Sequence, residues 1–123
     1  MKQTLYDMRE PNKNVPYGTV YFALSEAGYI KIGFTTNFNK RMRQLKNLSG
    51  SPIVCGVGYG FHNCQNVEKA FHDQLDRYRS HGEWFYVSKH TFKKFLTNNG
   101  IALDAETSQL FYECLPEVSE PNY

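Results

Sequence analysis

The stretch from Gly18 to Phe34 constrains the fold more than any other part of the chain. Gly18-Thr-Val-Tyr-Phe-Ala-Leu24 and Tyr29-Ile-Lys-Ile-Gly-Phe34 are both rich in β-forming residues, and Ser25-Glu-Ala-Gly28 between them carries a glycine suited to a tight reversal. Side chains alternate across a strand, so Val20, Phe22 and Leu24 share one face with Ile30, Ile32 and Phe34. Tyr21 and Lys31 then share the other face of an antiparallel hairpin. A three-residue turn is expected to set them directly opposite one another, a phenol beside an ammonium.

Helical periodicity follows. Thr35-Thr36-Asn37 supplies capping groups for a helix over Phe38 to Leu48, with Phe38, Met42, Leu45 and Leu48 on one apolar arc. Lys40, Arg43 and Lys46 lie outside that arc, whereas Arg41 falls inside it. An arginine there must reach past the core edge or hold a partner, because burying it alone is costly. Ile53 to Phe61 reads as a third strand. A second helix is expected over Asn63 to Arg79, with Val67, Ala70, Phe71, Leu75 and Tyr78 inward and Glu68 and His72 one turn apart on its shoulder. Gly82 to Val87 reads as a short extended segment, with Trp84 and Phe85 as core aromatics, and Ser88 to Thr97 as a last helix. The expected architecture is α/β: a central antiparallel sheet of three strands flanked by helices. Residues 1–16 are expected to form a polar arm, 17–100 the domain, and 101–123 an acidic, weakly patterned extension.

The net charge of +2 conceals an asymmetry. From Ala27 to Val67 the chain has no acidic residue and five basic ones, Lys31, Lys40, Arg41, Arg43 and Lys46. From Ala102 to Tyr123 it has no basic residue and five acidic ones, Asp104, Glu106, Glu113, Glu117 and Glu120. A polyanion-facing surface followed by a segment that competes with the polyanion fits this pattern. Truncation at Ala102 is accordingly expected to tighten binding. No run approaches a membrane span, the start lacks a secretory pattern, and Cys55, Cys64 and Cys114 have no framework spacing. An intracellular protein with reduced thiols is expected.

Taken in order, Tyr21 in Gly18-Thr-Val-Tyr21, then Lys31-Ile32-Gly33, Arg41 eight residues after Gly33, and Glu68 opening the second helix form a spaced series. The series resembles the GIY-YIG nuclease superfamily over roughly residues 17–90. Lys31 replaces the tyrosine of the second motif. With Glu68 to His72 and Gly82-Glu-Trp-Phe85, this resembles a phage-associated branch whose motif reads K-I-G.

The resemblance implies a metal-dependent endonuclease that hydrolyses nucleic-acid phosphodiester bonds, with DNA the expected substrate and RNA the alternative. It further implies one divalent cation per site, Mg²⁺ or Mn²⁺, held by Glu68 and water. Tyr21 would assist deprotonation of the attacking water, with Lys31 lowering the phenol's pKa. Arg41 would hold a non-bridging phosphate oxygen, and His72 would assist at the site. Lys40, Arg43 and Lys46 would track the backbone without reading bases. Two alternatives share the fold: a non-catalytic nucleic-acid-binding module and a phage-type protein-interaction protein.

Overall fold

The hairpin organises the rest. In a computed structural model that describes residues 4–5, 18–48 and 52–118, strands β2 (Gly18–Ser25) and β3 (Ile30–Thr35) pair antiparallel. Glu26, Ala27 and Gly28 form the turn, closed by Ser25 N–H donating to Tyr29 C=O at 2.9 Å. Gly28 ends it with φ of 92°, a conformation that a side chain would strain. The expected register is corrected by two residues. Tyr21 lies opposite Gly33, and Lys31 lies opposite Ala23. The reversal centres on Ala27, one residue later than the expected pairing requires. Tyr21 and Lys31 therefore share a face, as expected, but as diagonal neighbours.

β4 (Ile53–Phe61) pairs antiparallel with β2 on the other side. The sheet is wider than three strands: its order is β1-β4-β2-β3-β6-β5. The additions are short. β1 (Thr4–Leu5), within the segment expected to be only an arm, pairs with β4; β5 (Arg79–His81) and β6 (Trp84–Phe85) form a small hairpin on β3. Strands of two or three residues are too brief for alternation to reveal. The remaining residues of the expected arm lie outside the described ones.

One sheet face carries the main core, and the even-numbered residues Val20, Phe22, Leu24, Ile30 and Ile32 all point into it. Phe34 is the exception at 38 % exposure, at the strand's far end. Three helices cover this face: α2 (Cys64–Gln74), α3 (Lys89–Asn98) and α4 (Ala105–Cys114). The expected long second helix stops at Gln74, and a 3₁₀ turn over Asp76–Tyr78 leads into β5. On the opposite face α1 (Phe38–Leu48) packs over β2 and β4, joining Phe38, Met42 and Leu45 to Tyr21, Ala23 and Ile53. Asn37 caps this helix, its Oδ1 accepting from Lys40 N–H at 3.1 Å.

The weakly patterned C-terminal segment contains α4, which belongs to the core. Asp104 caps it by accepting from Thr107 N–H, and Phe111 is fully buried with its ring stacked 5.4 Å from that of Phe92. Leu115 is buried as well. Phe111→Ala is expected to cost about 3–5 kcal/mol in denaturant titration, as for other buried aromatics cut to alanine. Truncation at Ala102 would remove both anchors and unfold the domain, so it cannot report on charge. Replacing the exposed Glu106, Glu113 and Glu117 by glutamine tests the restraint of nucleic-acid binding instead: tighter binding at low salt is expected.

Candidate active site

Tyr21, Gly33 and Lys31 stand on the α1 face of the sheet, near the edge where β3 runs on past β6. Beyond β6, two backbone groups of β3 turn to α2 for partners. His72 Nε2 lies 2.7 Å from Ile32 C=O, and the Glu68 carboxylate accepts from Phe34 N–H. A carbonyl only accepts, so the His72 ring carries its proton on Nε2 here. The helix shoulder thereby reaches the sheet edge, which explains how Glu68 on the core side comes near a strand face directed the other way.

Tyr21 is buried and its ring lies across Gly33. A Cβ at Gly33 would fall 2.5 Å from the phenol oxygen and 2.7 Å from Cζ, so a residue with a side chain cannot occupy this place without moving the ring. Arg41 resolves its own puzzle. It leaves the apolar arc of α1 to donate from Nε to the Tyr21 oxygen at 3.2 Å, and its Nη1 reaches Gln44 Oε1 at 3.4 Å. Burial pushes the Tyr21 phenol above its ordinary value; the Arg41 hydrogen bond and charge oppose this, while Glu83 and Glu68 add to it. The phenol is therefore neutral near pH 7.

Lys31 has its partners in Glu83 and Trp84, on β6 and the turn before it. Its Nζ pairs with Glu83 at 3.2 Å and sits 5.4 Å from the centre of the Trp84 ring. The two-residue register difference is the cause, since it sets glycine, not lysine, opposite the phenol. The hydrogen bond and positive charge found at the Tyr21 phenol come from Arg41. Lys40, Arg43 and Lys46 are all exposed on α1, apart from this constellation.

Glu83 is the group that sequence reasoning passed over, although it lies within the Gly82-Glu-Trp-Phe85 segment. One ligand atom each from Glu68, His72 and Glu83 lie within 4.8 Å of one another. Glu68 and His72 are 16 % and 12 % exposed in their side chains, with 3.9 Å between Glu68 Oε1 and His72 Nε2. Burial, then Glu83, holds the Glu68 carboxyl above the usual carboxylate range, against the lowering effects of His72, Phe34 N–H and Lys31. Two carboxylates this close, neither fully exposed, suit a hard cation with oxygen ligands. While Nε2 stays on Ile32, the carboxylates are the oxygen donors of the cluster. The signal that could have revealed Glu83 was its place beside Lys31 once β6 is paired to β3; that pairing is tertiary.

The fold and site define a small α/β domain with a tyrosine–arginine pair beside a carboxylate cluster. The chain belongs to the T5orf172 domain family, whose profile matches residues 18–99. This is a phage-associated domain. No curated protein and no solved structure gives a significant match. Among the described residues no helix is long and apolar enough to cross a membrane.

Proposed function

We propose that this protein is a metal-dependent endonuclease that hydrolyses phosphodiester bonds, DNA first among its substrates. The observation that carries the reading is the Glu68–His72–Glu83 cluster standing beside the Tyr21–Arg41 pair. Family membership in a domain of nuclease-like context supports it, as does the GIY-YIG resemblance of the motif series. A Mg²⁺ or Mn²⁺ ion on Glu68 and Glu83 would supply positive charge for the developing phosphorane-like transition state. Arg41 has five N–H donors, and those not engaged with Tyr21 and Gln44 suit a non-bridging phosphate oxygen. In its phenolate form, with the oxygen held by Arg41 Nε, Tyr21 takes a proton from the attacking water as the water oxygen bonds to phosphorus. The P–O3′ bond then breaks and the departing O3′ takes a proton from solvent water, leaving 5′-phosphate and 3′-hydroxyl ends. Lys31 holds Glu83 in place. His72 holds the sheet edge and orients Glu68.

Because the phenol sits above its ordinary value, the ionised fraction of Tyr21 grows with pH and is small at neutrality. The cleavage rate is therefore expected to climb on the alkaline side without a plateau near pH 7, and this climb should vanish in Tyr21→Phe. A pH–rate profile of both proteins checks it.

A specific observation supports a second reading, a binding module without catalysis. Glu68 and His72 already have a structural task in satisfying Phe34 N–H and Ile32 C=O. Purified protein incubated with supercoiled plasmid separates the two: nicking with Mg²⁺ or Mn²⁺ that stops with chelator supports the enzyme, and its absence on plasmid, single strands and branched duplexes leaves the module. In either case Lys40, Arg43 and Lys46 make phosphate contacts. Their joint replacement by glutamine is expected to weaken binding equally for unrelated sequences. The slope of log affinity against log salt should fall by about one per side chain removed.

A further inference from the structure

Among the described residues, α1 covers only half of the sheet face that carries Tyr21. α1 packs over β2 and β4, whereas β3, β6 and β5 continue beyond it. Register places five side chains on this uncovered half. Lys31 is opposite Trp84, and Trp84 is opposite His81. Ile30 is opposite Phe85, which sets Tyr29 beside Tyr86 one step along. Their ring centres follow in sequence: Tyr86 to Tyr29 at 5.1 Å with planes 50° apart, Tyr29 to His81 at 6.2 Å and 67°, and His81 to Trp84 at 6.5 Å and 24°. Trp84 is not a core aromatic, as its neighbour Phe85 is; His81 is exposed, and Tyr29, Trp84 and Tyr86 are partly so.

Four aromatic rings in a row on an open sheet face, with an ammonium at one end, need an explanation other than packing. Aromatic side chains turned to solvent cost apolar exposure unless a partner covers them. Every nucleobase has a π-face, and such a row accepts successive unpaired bases while basic groups follow their phosphates. A paired duplex hides those faces in its own stack. The row also runs straight into the candidate active site, since Glu83 lies between His81 and Trp84 in the chain and pairs with Lys31. On the far side of that site stands the basic helix α1.

We propose that the Tyr86–Tyr29–His81–Trp84 row is a stacking platform for unpaired nucleotides, and that the substrate is single-stranded nucleic acid or a junction with an unpaired arm. This rests on the nuclease reading for its meaning, but its test does not. Trp84 is the chain's one tryptophan, so its fluorescence reports on the platform alone. The full-length protein, with chelator present to prevent cleavage, is titrated with oligothymidylate, oligouridylate and a mixed-sequence duplex of equal length. Quenching by one or both single strands is expected, and which of the two binds tighter distinguishes DNA from RNA. His81→Ala, at an exposed position, and Tyr86→Ala should each weaken single-strand binding about tenfold, in line with the loss of one base stack. Tyr86→Phe, which keeps the ring, should restore it. Duplex binding that exceeds single-strand binding, or quenching that survives His81→Ala and Tyr86→Ala unchanged in proteins with native circular dichroism, would overturn the proposal. Plasmid nicking with no single-strand quenching would sink the platform and spare the nuclease; single-strand quenching with no cleavage on any substrate would do the reverse.

Discussion

Glu68→Gln is expected to lower metal-dependent cleavage at least a hundredfold, roughly the loss seen when one transition-state electrostatic group is removed, and to leave nucleic-acid binding intact or stronger. Glutamine can still accept from Phe34 N–H, so the sheet edge keeps its partner. What disappears is the anionic ligand, and with it the repulsion of phosphate in the cation-free protein. The stability change has a definite direction. A carboxyl whose folded pKa is raised favours folding while protonated, at low pH, and that contribution is lost as pH rises through the folded value. Above that folded value Glu68 carries its charge at a cost imposed by burial, then by Glu83. The thermal midpoint of cation-free Glu68→Gln should rise relative to wild type. Added Mn²⁺ should raise the midpoint of wild type and not that of the variant. Full activity in Glu68→Gln would show that the ion, if used, is held elsewhere, with Glu83→Gln the next variant to measure. Cleavage lost together with the fold would make Glu68 a purely structural residue.

Gly33→Ala is expected to destabilise the fold and disable the site through one methyl group. The added Cβ would lie 2.5 Å from the Tyr21 oxygen and 2.7 Å from Cζ, closer than real Cβ atoms come, and 3.0 Å from Cε2. Tyr21 is 1 % exposed and cannot swing into solvent without opening the α1 packing. Overpacking of this kind costs about 1–3 kcal/mol, so thermal unfolding should shift down by several degrees. The Arg41 Nε bond to the phenol should break as the ring moves, and cleavage should fall with it. A double-mutant cycle with Tyr21→Ala is the decisive measurement: with the ring gone, the extra methyl should cost little, giving a favourable coupling energy. Additive losses would mean that the two residues do not meet as described.

Alternation and helical periodicity were enough to find the three long strands, the first helix with its bounds, and the core parity of Val20, Phe22, Leu24, Ile30 and Ile32. These signals are local, repeated every two or three to four residues, and need no knowledge of distant contacts. The anomaly of Arg41 inside an apolar arc was legible for the same reason, and it proved to mark the bond to Tyr21. Tertiary structure alone decided the rest. Hairpin register depends on which residue centres the turn, and moving that centre from Glu26 to Ala27 exchanges Lys31 for Gly33 opposite the phenol. Glu83 joins Glu68 and His72 only because a two-residue strand docks on β3, a pairing too short to leave a periodic trace. Helix α4 was hidden by acidic residues on its exposed side; its hold on the core rests on Phe111 and Leu115, which become apolar anchors only when Phe92 and the sheet are there to receive them.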